Sequence, residues 1–104
     1  MTAYTVEASA RAHLEDIYVY TLATWGHDQA RSYILDFTET FEAIAAGRVR
    51  GRRIDLSPDI RGFVCRHRIH YVYWRIRSDE AVGIVAVLHV RMQQSDRLTE
   101  VWPD

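Results

Sequence analysis

The sequence predicts an α+β domain of order β-α-α-β-β-β, with an N-terminal helical hairpin packed on one face of a mainly antiparallel sheet. Three observations carry this. Two long stretches with apolar residues at helical spacing fill the first half of the chain. Two runs rich in β-branched and aromatic residues, IHYVYWRI and VGIVAVLHV, lie in the second half with a turn sequence between them. Helices grouped apart from most strands point to segregated layers, not to an alternating α/β sheet.

Each element has its own justification. Ala3–Glu7, AYTVE, partly alternates and reads as a first strand. Ser9 stands where a helix N-cap belongs. From there Ala10, Leu14, Ile17, Tyr18, Thr21, Leu22 and Trp25 follow a helical period, and Gly26 stops the helix. A second helix starts near Asp28. Its stripe is Ala30, Tyr33, Ile34, Phe37, Phe41, Ile44 and Ala45, and Gly47 ends it. A link as short as Gly26–His27 makes the pair an antiparallel hairpin. Arg48–Asp59 reads as a loop, with Gly51, Pro58 and four Arg in six residues. Strands then follow at Ile60–Cys65, Ile69–Arg77 and Val82–Arg91. Tight turns near Arg66–Arg68 and at SDEA join them, so they are antiparallel. The polar stretch QQSDRLTEVWPD at the end, with one aromatic, reads as a short extra element or a mobile tail. Residues 1–92 are read as one domain and 93–104 as a C-terminal tail.

Composition narrows the classes. The 104 residues include 48% hydrophobic and 12% aromatic types, enough for one modest core. One cysteine, Cys65, cannot form an internal disulfide, which favours a reducing, cytoplasmic setting. The N-terminus lacks the basic and apolar regions of a signal peptide. No apolar run approaches the roughly 20 residues of a membrane helix, so no membrane partner is expected. The net charge of −1 hides an asymmetry: residues 1–47 carry −5 and residues 48–104 carry +4. Every basic residue is Arg, which binds carboxylate or phosphate with two donors. A basic second half suits an anionic partner.

The last strands also predict which sheet face is free. Val82, Ile84, Ala86, Leu88 and Val90 form a purely apolar set, assigned to the helix side. Val72, Trp74 and Ile76 join them. The other face then collects Tyr71, Tyr73, Arg75, His89 and Arg91, either as a binding surface or as a polar back face.

Several motifs in register resemble one family. DIYVYTLATWGHDQARSY resembles the helical hairpin of ParE-type toxins of the RelE/ParE superfamily, through Asp16, Ile17, Tyr20, Trp25, Gly26, Gln29, Ala30 and Tyr33. GRRIDLSPDIRGFVCRHRIHYVYWRI and VAVLHVRM resemble the later loop, strands and closing His-x-Arg-Met signature of that family. The resemblance runs from about Tyr4 to Met92. It implies the RelE/ParE-like fold and the toxin of a type II toxin–antitoxin pair. It further implies inhibition of DNA gyrase, arrest of replication and growth, and neutralisation by a ParD-like antitoxin, the complex repressing its own operon. DNA would be met indirectly, through antitoxin or gyrase.

On this reading the target-binding surface is Arg61, Arg75, His89 and Arg91, with Trp102 of the tail as an anchor. The antitoxin would contact the hairpin at Leu14, Tyr18, Tyr33, Phe37 and Phe41, and the basic loop at Arg48, Arg50, Arg52 and Arg53. No catalytic residue, metal or cofactor is expected. The first alternative is ribosome-dependent mRNA cleavage of the RelE type. Arg61, Arg75, His89 and Arg91, with Tyr71 or Tyr73, would then supply charge and proton transfer. It ranks second, because Asp55, Asp59, Asp79 and Glu80 fall in loops or turns and leave no convincing acid–base pair. The other alternative is a non-toxic relative that only binds antitoxin and tunes repression. His67 and His70, three apart on one strand, would face opposite sides and so make no metal pair.

Overall fold

The computed structural model describes residues 4–103. Strand β1 (Tyr4–Val6) leads into helices α1 (Ala8–Trp25) and α2 (His27–Ala45). Strands β2 (Arg52–Ser57), β3 (Ile60–His67), β4 (His70–Ile76) and β5 (Val82–His89) follow, then helix α3 (Gln94–Val101). One sheet holds all five strands in the order β1-β5-β4-β3-β2. β1 runs parallel to β5 and every other pairing is antiparallel. The predicted β-α-α-β-β-β order therefore holds, with one added strand and one added helix. Ala3, the predicted start of β1, lies outside the described residues. None of the described helices is long and apolar enough to cross a membrane.

Gly26 alone links the two helices, at φ 93°, a backbone conformation costly for any residue with a Cβ. Ser9 is not the cap expected of it. The helix begins at Ala8, and the Ser9 hydroxyl donates to the Val85 carbonyl at 2.6 Å. Nearby, the Val87 N–H donates to His13 Nδ1 at 3.2 Å. Both contacts serve a bulge in β5. Tyr73 pairs with Ala86 but Trp74 pairs with Ile84, so Val85 is the extra residue. Side chains of α1 satisfy backbone groups on either side of that irregularity, which the ladder would otherwise satisfy.

The bulge corrects the predicted face assignment. Before it, Val82 and Ile84 point at α1 and α2. After it, the alternation shifts by one and Val87 takes that side. Ala86 and Leu88, assigned to the helix side by strict alternation, turn to the other face with Val85. Each face has its own core. Phe37, Phe41, Ile44, Val72, Trp74, Ile84 and Val87 make the one beneath the hairpin. Val64, Tyr73, Val85, Ala86, Leu88 and Leu98 make the other, roofed by α3 with Val101 and Trp102. The protein is a three-layer stack with the sheet in the middle.

One segment differs from expectation, and the structure decides another that the sequence leaves open. RRIDLS, read as loop, is edge strand β2, recruited by pairing with β3 from Arg52↔Val64 to Ser57↔Ile60. The polar tail is α3, and its apolar side covers the face predicted to be open. Trp102 lies over Gly62. A Cβ there would meet the Trp74 carbonyl and the Trp102 ring, the latter at 2.8 Å. Gly62→Ala should therefore lower stability by about 1–3 kcal/mol, read by urea denaturation.

Candidate protein-binding groove

The predicted target surface does not assemble. Tyr73 is buried under α3 and its hydroxyl donates to Gln94 Oε1 at 2.8 Å. His89 lies on the opposite, helix-side face, because of the bulge. Arg91 sits beyond the strand in an exposed turn. Arg61 is exposed on β3 and pairs with Asp55 at 3.5 Å. Trp102 is half-buried in the second core, so it is an internal prop of α3 and not a free anchor.

Arg75 has a structural partner. Its Nε and Nη2 both donate to the Glu7 carboxylate at 2.8 Å, with the two side chains 27% and 15% exposed. This bidentate pair ties the end of β1 to β4 across β5. It passes over Gly83, where a Cβ would lie 2.5 Å from Glu7 Oε2. The hydrogen bond to Glu7 holds the Arg75 guanidinium above its ordinary pKa. Arg75→Ala should therefore cost about 2–3 kcal/mol of stability, as loss of one member of a sheltered pair does. A double-mutant cycle with Glu7→Ala should show coupling between the two.

The residues predicted to meet an antitoxin divide in the same way. Phe37 and Phe41 are 0% and 2% exposed, so they pack the core and offer no contact surface. Leu14 is half-buried against the same core, and Tyr18 and Tyr33 are also half-buried. Arg48, Arg50, Arg52 and Arg53 are all exposed. Arg52 and Arg53 lie on β2, which is an edge strand.

A groove of about 790 Å³, mainly apolar, opens where the hairpin meets the strand ends. Asp16, Ile17, Tyr20 and Trp25 of α1 form one wall, with Gln29 and Tyr33 of α2 beside them. Arg68 and Ile69 of the β3–β4 turn, His70 at the start of β4, His89 and Met92 complete the lining. Tyr20 is 69% exposed and Trp25 is 71% exposed. Ile69 and Met92 are also exposed. Large apolar side chains gathered in a concave site mark an interaction surface. The helical period places Trp25 on the core stripe of α1, but as the last residue of that helix it stays exposed. The motif spacing was the signal that contained the groove: Asp16, Ile17, Tyr20, Trp25, Gln29, Tyr33, His89 and Met92 all carry the family resemblance and all line it.

Three histidines sit at and beneath one end of the groove. The β3–β4 turn is Arg68–Ile69, with Arg68 at φ 56°, so His67 and His70 pair across two strands. They share a face, against the expectation for one continuous strand. Their rings lie 4.6 and 5.6 Å from the Phe37 ring. Thr40 Oγ1 is 2.9 Å from His67 Nδ1, and the Tyr33 hydroxyl is 3.0 Å from His70 Nδ1. His67 Nε2 is buried without a hydrogen-bond partner among the described residues. Burial, then the neighbouring His89 and His67, push His70 down to about 4. Burial also lowers His67 and His13, and raises the Cys65 thiol, so that sulfur is no activated nucleophile. Among the described residues no three His, Cys, Asp or Glu gather as a cation site.

A histidine with a depressed pKa makes stability depend on pH. Between 4 and 6.5 the unfolded chain binds a proton that folded His70 refuses. Stability is therefore full above about pH 6.5 and falls as pH drops toward 4. His67 and His13 act in the same direction. The His70 share is on the order of 3 kcal/mol. Urea titrations at pH 7.5 and 5 should show the loss, and His70→Gln should flatten it.

Comparison with known proteins accords with this geometry. Residues 4–94 match the family model described as the ParE toxin of the type II toxin–antitoxin system parDE. The chain is 38% identical over 101 residues to Toxin ParE of Escherichia coli, covering 96% of each. It is 32% identical over 90 residues to Toxin ParE1 of Mycobacterium tuberculosis, covering 86% of this chain and 90% of the relative. A solved structure titled as the chromosomal ParDE TA system from P. aeruginosa shares the fold, with a TM-score of 0.67 and 19% identity over 86% of this chain and 96% of that one. By family model and by relatives above 30% identity along almost its whole length, the chain belongs to the ParE toxin family of type II toxin–antitoxin systems.

Proposed function

We propose that this toxin acts on DNA gyrase in the cytoplasm and is neutralised by a ParD-like antitoxin, an amphipathic segment of which lies in the groove. The observation that carries the antitoxin reading is the groove itself. Its exposed Tyr20 and Trp25 are the aromatic anchors that protein interfaces favour, and its walls are the residues of the family resemblance. A helix laid in a groove buries one apolar face against such anchors. The neighbouring solved structure is titled as a ParDE system, which supports a ParD-like partner for this chain. An acidic continuation of the antitoxin suits the edge strand β2, where Arg52 and Arg53 are exposed and Arg61 lies on the adjacent strand. Gyrase rests on the family resemblance.

Supercoiling and DNA-cleavage assays with purified gyrase test the target. Cleaved DNA should accumulate with the toxin and disappear when antitoxin is added in equal amount. No effect on gyrase from folded toxin would reject that target and direct the assay to mRNA on translating ribosomes. Charge reversal of Arg52 and Arg53 together should slow antitoxin association by about tenfold at low salt, with a smaller effect at high salt.

A further inference from the structure

We infer that the groove selects a partner segment that sets a carboxylate against the Nε2 atoms of His70 and His89. This deepens the reading of the groove as the antitoxin site and rests on it.

The two rings lie 5.5 Å apart at 78°, and both line the groove. Each has one nitrogen already engaged. His89 Nδ1 accepts from the Arg91 N–H at 3.1 Å, so the neutral ring carries its proton on Nε2. His70 Nδ1 lies 3.0 Å from the Tyr33 hydroxyl, and a phenol donating there puts the His70 proton on Nε2 as well. Neither Nε2 has a hydrogen-bond partner among the described residues. A mainly apolar groove thus presents two imidazole donors. An occupant apolar along its whole face would bury both donors unpaired, at a cost. An occupant with an acceptor at that point would not.

Two adjacent ring donors suit an anionic acceptor, which takes a hydrogen bond from each. Arg91 stands just beyond His89. Arg68 from the turn is bound at 2.9 Å to Asp36 of α2, so the pair is locally neutral. His67 lies behind, Tyr33 faces from α2, and Asp16 on α1 is the acidic member of the lining. A carboxylate beside the rings stabilises the protonated form of His70, which burial and the neighbouring histidines disfavour in the free protein. Binding would then take up protons, and affinity would rise as pH falls from 8 to 6.

The test uses the purified full chain and a displayed library of 16-residue amphipathic helices on a fixed leucine scaffold. One position on the apolar face varies among Asp, Glu, Asn, Gln, Leu and Lys. Asp or Glu should be enriched about tenfold or more over Leu. The acidic peptide should bind several-fold tighter at pH 6 than at pH 8. On His89→Phe the acidic preference should vanish while the leucine peptide still binds, with His89→Gln as a second variant. Binding lost on Trp25→Ala but indifferent to the varied position would overturn this inference and keep the groove. Peptides unaffected by Trp25→Ala, or no binders at all, would overturn the groove reading itself.

Discussion

Trp25→Ala is expected to weaken binding of the antitoxin by about 2–4 kcal/mol, or roughly 30- to 900-fold in Kd. The stability of the isolated chain should change by less than about 0.5 kcal/mol. The reason is the position of the side chain. Trp25 is the last residue of α1, it is 71% exposed, and neither core includes it. An indole so placed contributes little to folding. Covered by a partner it would bury an area typical of interface hot spots. Tyr20, five residues earlier and 69% exposed, should show the same separation with a smaller loss. Calorimetric titration of antitoxin into each variant, beside urea denaturation of the variant alone, checks both halves. Unchanged affinity in both variants would remove the groove from the antitoxin interface.

Phe37→Ala should act in the opposite sense, lowering stability by about 3–5 kcal/mol before any partner is involved. Phe37 is 0% exposed and stands between two environments. On one side it meets Phe41 at 6.2 Å and Tyr33 at 5.1 Å. On the other it meets the rings of His67 and His70. Removing it opens a cavity in the core and lets water reach His70. Part of the acid sensitivity assigned to His70 should therefore fade in this variant. Urea denaturation at pH 7.5 measures the main loss, and a change below about 1 kcal/mol would mean that α2 presents a different face to the sheet.

The helical hairpin was legible because its signals are local. Gly26 and Gly47 close the helices at positive φ, and the stripe from Ala30 to Ala45 repeats at the helical period. β4 and β5 were legible because buried central strands carry continuous apolar runs. β2 was not. Its six residues include two Arg and an Asp, and only pairing with β3 makes RRIDLS a strand. The tail, readable as a short extra element or a mobile end, stays undecided in the sequence for a related reason. Leu98, Val101 and Trp102 do fall on one helical side, but three apolar residues in a polar stretch commit to a helix only when a sheet face waits beneath them.

The candidate site was legible in content and not in place. The hairpin motif and the closing His-x-Arg-Met motif, far apart in sequence, held most of its residues. Arg75 was read as a working surface residue, because a strand pattern cannot show that Glu7, distant in sequence, has come within 2.8 Å. His89 was set on the wrong face, because alternation fails wherever a bulge adds a residue.

By itself the sequence determined the types of the elements other than β2 and α3, the hairpin, the antiparallel order of the last strands and the family, since each depends on neighbours in the chain or on motifs several residues long. Only the tertiary structure decided which side chains are free to meet a partner. That choice turned on three long-range events: the Val85 bulge held by Ser9 and His13, the docking of α3 over Tyr73, and the pairing of Glu7 with Arg75. Each joins residues whose encounter is set by burial and hydrogen-bond satisfaction across the whole fold, and no local pattern encodes it.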